Sequence, residues 1–229
     1  MSKIEKKIIA IGGGGFTHHT DESLDQFVLD QSKKINNKIG FLATASRDDE
    51  KKINSFYKRF GNIKSELSHF NLTLNVDRFS EWILEKDIVY IGGGNTVFML
   101  EIWRKYKLEQ IFKSAYEKGT ILSGVSAGAV CWFDWILSDS VGQGFNPLRG
   151  INLISGSCTP HSSDVERINQ FESDIKDNKL PDGIAIDDGV AVVFIDGKPT
   201  EVYSSRKNHK AYFLDKNKKI NLKEYIKNT

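Results

Sequence analysis

Short apolar runs that end in glycine recur along this chain and are followed by segments of helical periodicity. The runs KKIIAIGGGG (6–15) and DIVYIGGGNT (87–96) each end in three or more glycines, and GTILSGVSAGAV (119–130) has a similar plan. A β-branched run, a glycine turn and an amphipathic segment together are typical of a strand–turn–helix unit. Repeated units of this kind predict an α/β fold with a mostly parallel central sheet and helices on both faces.

Further segments complete this prediction. Strands are expected at 38–46, 72–79 and 151–161, and helices at 21–34, 51–60 and 97–106, with a helical run from Ala129 to Leu137. The segment 182–205 differs, because its apolar runs are broken by Asp-Asp-Gly and Asp-Gly-Lys, which are hairpin signals. We therefore expect antiparallel edge strands near the C-terminus, with one more strand and a short helix after residue 210.

Length and charge restrict the class of protein. The chain has 229 residues, 39% of them hydrophobic, and this predicts one globular α/β domain over 1–229. Its 32 basic and 30 acidic side chains are interspersed and give a net charge of only +2. Neither a nucleic acid nor a membrane is expected as a partner, because both require a concentrated positive face.

The first apolar run and the two cysteines bear on the cellular location of the protein. The first apolar run is too short for a secretion signal or a membrane span. Cys131 and Cys158 form no Cys-x-x-Cys pair and cannot build a disulfide framework, which favours a cytoplasmic location. The sequence leaves a homodimer open, because its tryptophans could serve core packing or an interface: Trp82, Trp103, Trp132 and Trp135.

The two glycine loops admit several interpretations. Both could be tight turns, and both could present consecutive N–H groups as an anion-binding nest. The loop at 12–15 lacks the third glycine of a dinucleotide-binding fingerprint, and neither loop has the Gly-Lys-Ser/Thr ending of a P-loop. The loop at 92–96 favours binding more strongly, because Asn95 adds a polar side chain and is a candidate for contact with substrate.

Ser126 lies in the pattern Gly124-Val125-Ser126-Ala127-Gly128. A nucleophilic serine needs exposure on a sharp turn, a base and donors for the oxyanion. Small residues on both sides of Ser126 let a strand turn abruptly into a helix, as in a nucleophile elbow. The alternative is that Ser126 is merely a small residue in a tight turn.

His161 is the favoured base, because it ends the predicted strand INLISGSCTPH, where a loop would meet Ser126. His18 and His19 follow the first glycine loop at the same edge of the sheet and are weaker candidates. For the acid that orients the imidazole, Asp139 gives the order Ser126, Asp139, His161. The alternatives for this acid are Asp134, Asp164 and either Asp187 or Asp188. No metal-ligand motif is present, and no metal or cofactor is expected.

Four short motifs, taken together, resemble a known family. GGGNT (92–96), GVSAGAVCWF (124–133), SDS (138–140) and PH (160–161), in this order, are similar to the serine peptidases that include aspartyl dipeptidase (peptidase E) and cyanophycinase. The resemblance implies a three-layer fold like class I glutamine amidotransferases and flavodoxins. It also implies a serine-type dipeptidase or exopeptidase that cleaves short peptides.

The resemblance assigns roles by motif. Ser126 would be the nucleophile, His161 the base and Asp139 its orienting acid, while the N–H groups of Gly94 and Ala127 would form the oxyanion hole. Family dipeptidases cleave after an N-terminal aspartate and hold its carboxylate with a basic residue downstream of the histidine. Arg167 lies in that region and is therefore expected to bind substrate.

Two other functions remain as alternatives at this stage. An esterase of the α/β-hydrolase type shares the order of serine, acid and histidine, although too few residues separate Ser126 from His161 for that fold. A catalytically silent binding or sensing domain could keep the turn at Ser126 for structural reasons.

Overall fold

The computed structural model describes residues 4–228, in which strands and helices alternate through most of the chain. The strands are β1 (Lys7–Ile11), β2 (Lys38–Leu42), β3 (Glu66–His69), β4 (Ile88–Ile91), β5 (Ile121–Val125), β6 (Phe133–Ser138), β7 (Asn146–Arg149), β8 (Ile154–Thr159), β9 (Gly183–Ile186), β10 (Val190–Ile195), β11 (Lys198–Ser204), β12 (Ala211–Leu214) and β13 (Lys219–Asn221).

The helices are α1 (Glu22–Asp30), α2 (Glu50–Phe60), α3 (Phe79–Leu84), α4 (Thr96–Lys105), α5 (Glu109–Lys118), α6 (Ala127–Val130), α7 (Val165–Lys176) and α8 (Leu222–Lys227). Short 3-10 turns lie at Phe16–His18 and Thr44–Ser46.

Seven of the strands described within residues 4–228 form one sheet, in the order β11, β10, β1, β5, β4, β2, β3. The strands from β1 to β3 in that order are parallel, whereas β10 and β11 are antiparallel. The β10–β11 hairpin turns at Asp196 and Gly197, whose φ angles of 51° and 79° suit a type I′ turn. The predicted α/β class, the mostly parallel sheet and the antiparallel edge strands are confirmed.

This seven-stranded sheet is buried on both faces, as apolar parallel strands require. Ile8 and Ala10 of β1 pack into one hydrophobic cluster, and Ile9 and Ile11 pack into the cluster on the opposite face. Helices α1 and α2 cover the second face. Helices α4 and α5 cover the first face, where Trp103 and Trp132 are fully buried.

A second sheet, of six strands within the described residues, was not predicted. Its order is β13, β12, β9, β8, β6, β7, and β6, β8 and β9 run parallel. Ile136 of β6 and Ile186 of β9 join the same hydrophobic cluster as Ile8 of β1. A core shared between the sheets supports the single domain over 1–229, which stays a prediction.

Two predicted elements are wrong. The segment 72–78 forms turns and irregular structure, with Leu72 buried and Leu74 exposed, and Phe79 begins α3; the edge strand beside β2 is β3 instead. The apolar run after Ser126 is helical only over α6, and Phe133–Ser138 is strand β6. Aromatic and β-branched residues there pack against β8 and the core, and this packing outweighs helical periodicity. None of the helices within residues 4–228 is long and apolar enough to cross a membrane.

Candidate active site

Ser126 lies between β5 and α6 in a strained backbone conformation. Its φ and ψ angles are 55° and −116°, which a residue with a side chain rarely adopts. The turn is held by its N–H, which donates to Ile11 O at 2.9 Å, and a Cβ on Gly128 would collide with Ile91 O. The glycine of the pattern therefore lets α6 approach the sheet closely, and the serine is presented at the carboxyl end of β5.

The imidazole of His161 contacts this serine. His161 follows β8 and, like Ser126, has a positive φ, of 51°. Its Nε2 lies 2.8 Å from Ser126 Oγ, and its side chain is 29% exposed. The structure thus brings together the two residues that the sequence favoured as nucleophile and base.

Asp188 completes a hydrogen-bonded chain. Its Oδ1 lies 2.5 Å from His161 Nδ1, and the hydrogen bond from His161 lowers the pKa of the Asp188 carboxyl below its usual value. When Nδ1–H donates to this carboxylate, Nε2 is left as an acceptor for the Ser126 hydroxyl. This is the tautomer that removal of the serine proton requires.

The first glycine loop makes room for this pair. Gly13 forms a parallel bridge with Asp188, and the Gly189 N–H donates to Gly13 O at 2.8 Å. A Cβ on Gly13 would collide with Asp188 Oδ1 and would lie 2.9 Å from His161 Cε1. The loop at 12–15 is therefore more than a tight turn, because its backbone at Gly13 packs directly against His161 and Asp188.

The prediction that Asp139 orients His161 is wrong in this structure. Asp139 is exposed at the end of β6, and its Oδ2 accepts a hydrogen bond from Arg167 Nη2 at 2.6 Å. Arg167 is only 4% exposed and stacks on Phe145, so it supplies the positive charge that Asp139 pairs with. Asp139 lies beside β8 on the side opposite to β9, and the acid that reaches His161 comes from the end of β9.

The other candidate acids have structural partners. Asp134 pairs with Arg149 at 2.5 Å, and Asp164 caps α7 by accepting from the Glu166 and Arg167 N–H groups. Asp187 is buried and accepts from Ser162 Oγ and from the Lys210 N–H. Asp188, weighed in the sequence as one of two weaker options, is the one that contacts the imidazole.

A structural signal could have identified Asp188. It is the second residue after β9, and β9 is a parallel neighbour of β8, whose carboxyl end carries His161. The carboxyl ends of neighbouring parallel strands meet at one edge of a sheet. The hairpin signals of 182–205 hid this neighbourhood, because they suggested that all strands of the segment were antiparallel.

His18 and His19, the weaker candidates for the base, lie near the site but do not contact Ser126. His18 Nδ1 is 3.1 Å from Gly14 O, and its ring centroid is 6.4 Å from that of His161. Burial lowers the pKa of His18, so a neutral ring is favoured. His19 is exposed and ends the 3-10 turn.

The second glycine loop borders Ser126 on its other side. A Cβ on Gly93 would lie 3.2 Å from Ser126 Cβ. Within residues 4–228, neither the Gly94 N–H nor the Ala127 N–H has a protein acceptor. Asn95, predicted to contact substrate, uses its Oδ1 to accept from the Phe98 N–H at 2.8 Å and so caps α4.

Other features lie away from this site. A surface cavity of about 660 Å³ is lined by Lys7, Lys86 and Thr120, at the amino ends of β1, β4 and β5. Ser126 is at the opposite, carboxyl end of β5, so this cavity is separate from the serine. In the part of the chain that the structure describes, no three His, Cys, Asp or Glu side chains are grouped to hold a metal ion.

Comparison with known proteins gives the family. The sequence matches the model of peptidase family S51 over residues 8–202, which includes Ser126, His161 and Asp188. The chain belongs to peptidase family S51. Membership of family S51 supports a serine peptidase, and therefore a peptide hydrolase.

Individual relatives agree with family S51. The chain is 38% identical to the uncharacterized peptidase YgaJ of Bacillus subtilis (strain 168) over 211 residues, which cover 90% of this chain and 91% of that protein. It is 27% identical over 146 residues to the uncharacterized peptidase PM1590 of Pasteurella multocida (strain Pm70), covering 58% of this chain and 69% of that protein.

Solved structures share the fold. A peptidase from an acI-B1 Actinobacterium is 16% identical and aligns with a TM-score of 0.70 over 96% of this chain and 95% of its own. A putative peptidase E protein from Listeria monocytogenes EGD-e is also 16% identical and aligns with a TM-score of 0.65, over 89% of this chain and 100% of its own.

Proposed function

We propose that the protein is a serine-type dipeptidase or exopeptidase, with Ser126 as nucleophile, His161 as base and Asp188 as the acid that orients His161. The observation that carries the proposal is the hydrogen-bonded chain from Ser126 Oγ through His161 to Asp188, with distances of 2.8 Å and 2.5 Å. Ser126 also has a strained backbone at a strand–helix turn, as expected for a nucleophile elbow.

Chemistry follows from this arrangement. His161 Nε2 takes the hydroxyl proton as Ser126 Oγ attacks the scissile carbonyl, and Asp188 stabilises the imidazolium that forms. The N–H groups of Gly94 and Ala127 donate to the oxyanion. The amine leaves with the proton from His161, and water then hydrolyses the acyl-enzyme by the same route in reverse.

Restricted access supports short peptides as substrates. Ser126 is only partly exposed; the loop at 92–94 borders Ser126 itself, and the loop at 12–15 borders His161 and Asp188. The side chains of His161 and Asp188 are 29% and 32% exposed, so most of the pair is covered by the protein. We expect a free dipeptide to enter such a site more readily than the backbone of a folded protein.

The N-terminal aspartate preference implied by the resemblance depends on Arg167. Its guanidinium already pairs with Asp139 at 2.6 Å, so a substrate carboxylate would have to displace Asp139. We expect Arg167→Ala to raise KM for peptides with an acidic first residue and to leave KM for neutral peptides unchanged. Equal effects on both kinds of peptide would remove Arg167 from substrate recognition.

The whole proposal is tested by active-site labelling together with a dipeptide panel. A fluorophosphonate probe should label the wild-type protein stoichiometrically, and Ser126→Ala and His161→Ala should abolish both labelling and peptide cleavage. Ser163→Ala and His19→Ala are matched controls, because both side chains are exposed and neither contacts the Ser126–His161 pair.

Three outcomes would contradict it. Cleavage that survives Ser126→Ala would remove the serine from the chemistry. Ester hydrolysis with no peptide cleavage would support the esterase. No labelling and no turnover in the wild-type protein would support a silent domain.

A further inference from the structure

Lys52 of α2 lies directly behind the second glycine loop. Its ammonium donates a hydrogen bond to Gly93 O at 2.9 Å. The side chain is partly buried, and among residues 4–228 it forms no ion pair within 4 Å. Burial lowers the pKa of Lys52 because it is unfavourable for a cation, and the negative charge of Asp49 opposes this shift. The hydrogen bond to Gly93 O is the one close polar contact of the ammonium among residues 4–228.

The contact between Lys52 and Gly93 O also determines the direction of the Gly94 N–H. Residues 4–228 contain no cis peptide bond, so the C=O of Gly93 and the N–H of Gly94 point in opposite directions. A cation that fixes Gly93 O on the side of α2 therefore directs the Gly94 N–H away from α2. Gly93 itself borders Ser126, since a Cβ there would lie 3.8 Å from Ser126 Oγ.

The backbone hydrogen bonds of this loop do not involve the Gly93–Gly94 peptide. The Gly92 N–H donates to Leu42 O at 2.9 Å and anchors the Ile91–Gly92 peptide, and the Asn95 N–H donates to Ala45 O at 2.7 Å and anchors the Gly94–Asn95 peptide. Gly94 has a φ of 150°, and a Cβ there would collide with Ala45 O. A peptide between two glycines turns over easily, and turning over would replace a donor with a carbonyl oxygen.

We propose that Lys52 is a positioning residue that holds the Gly93–Gly94 peptide with the Gly94 N–H directed toward the substrate's oxyanion. The ammonium also polarises the peptide, which makes its N–H a stronger donor. This inference rests on the proposed serine chemistry, because it gives the oxyanion donor its orientation.

The test measures the second-order rate constant for labelling by an uncharged fluorophosphonate. Lys52→Met keeps the length of the side chain and removes its charge and donors. It should lower the rate constant about 10-fold or more, since loss of a whole oxyanion donor costs about 100-fold or more. Lys52→Arg should restore most of the rate. Lys51→Met, an exposed neighbour on the same helix, is the matched control and should label at the wild-type rate.

The readout separates positioning from other roles. Loss of folded protein reduces the extent of labelling, whereas misplacement of the donor reduces the rate constant of the protein that labels. With neutral dipeptides, Lys52→Met should lower kcat and leave KM nearly unchanged.

Two outcomes would overturn the role of Lys52. One is an unchanged labelling rate in Lys52→Met. The other is an effect confined to KM for acidic peptides, which would make Lys52 a binding group for a substrate carboxylate. Absence of wild-type labelling would instead refute the proposed function, and this inference with it.

Discussion

Two carboxylates flank β8, one on each side, and they have opposite environments. Asp188, from the end of β9, reaches His161 across the backbone of Gly13 and is itself 32% exposed. Asp139, from the end of β6, is 62% exposed and pairs with Arg167, which is 5% exposed. In the first pair the carboxylate accepts a hydrogen bond from a histidine that contacts a serine. In the second pair the carboxylate neutralises a buried cation. Under the proposed function, the same residue type therefore serves chemistry on one side of the strand and stability on the other.

The largest expected effect comes from Asp188→Asn. The amide would keep the shape of the carboxylate but favour the wrong tautomer of His161, so kcat should fall about 10⁴-fold. The free energy of unfolding should change by less than about 1 kcal/mol, because the site is partly exposed. Peptide hydrolysis and urea unfolding measure the two quantities. A variant that keeps more than a tenth of wild-type kcat would show that the contact with His161 is structural.

A smaller loss of activity is expected from Gly13→Ala. The added methyl group would collide with Asp188 Oδ1, and a shift of about 1 Å in the pair costs about 100-fold in rate. Gly142→Ala is the control for the added methyl group, because a Cβ at Gly142 meets nothing within 4 Å; unlike Gly13, Gly142 has a positive φ, of 70°. It should cost about 1 kcal/mol of stability and leave the labelling rate unchanged. Equal labelling rates for the two variants would contradict the steric role of Gly13.

Only part of the candidate site could be predicted from the sequence. Ser126 and His161 could be chosen from local patterns, because each follows a strand whose carboxyl end faces the same edge. Asp139 and Asp188 both satisfy that rule, since β6 and β9 are both parallel neighbours of β8. The choice depends on long-range packing, namely the bridge between Gly13 and Asp188, which connects β9 to the sheet that carries Ser126.

The assignment of strands also depends on long-range packing. Glycine-terminated runs predicted β1, β4 and β5 correctly, because buried parallel strands are continuous apolar segments. The second sheet was missed, since β6 follows α6 within one unbroken apolar run. Only pairing with β8 decides that Phe133–Ser138 is a strand. Periodicity describes which faces are buried, and it does not name the neighbouring strand.

On the other side of β8, Asp139→Asn should affect stability more than chemistry. It leaves the buried Arg167 guanidinium without its carboxylate, although stacking on Phe145 remains. We expect a loss of about 2 kcal/mol, below the cost of breaking a fully buried pair because Asp139 is exposed to water. The labelling rate constant should stay within about threefold of wild type. A loss of labelling equal to that of Asp188→Asn would abolish the distinction between the two carboxylates.

The smallest effect concerns the Asp21–Arg206 ion pair, which lies beside the first glycine loop, where a Cβ on Gly14 would lie 2.6 Å from Asp21 Oδ2. Asp21 accepts hydrogen bonds from Arg206 Nη2 at 2.6 Å and from Ser205 Oγ at 2.7 Å, and the bond from Arg206 holds the pKa of Asp21 well below its usual value. Because the folded pKa is depressed, the stabilisation is complete above the unfolded pKa of about 4 and is lost as pH falls below it.

We therefore expect Asp21→Asn to lower the free energy of unfolding by about 1 kcal/mol at pH 7, a value reduced by solvent screening of the partly exposed Arg206. The difference in unfolding free energy between Asp21→Asn and wild type should shrink as the pH is lowered below about 4. Urea titrations at pH 7 and below about pH 4 measure it. Asp182→Asn controls for the general effect of losing one acidic group, because Asp182 is exposed and forms no ion pair among residues 4–228. A difference that grows on acidification would mean that Asp21 is not ionised in its pair with Arg206. In that case the first glycine loop would depend on its backbone hydrogen bonds, such as the one from the Gly189 N–H to Gly13 O, rather than on the charge of Asp21.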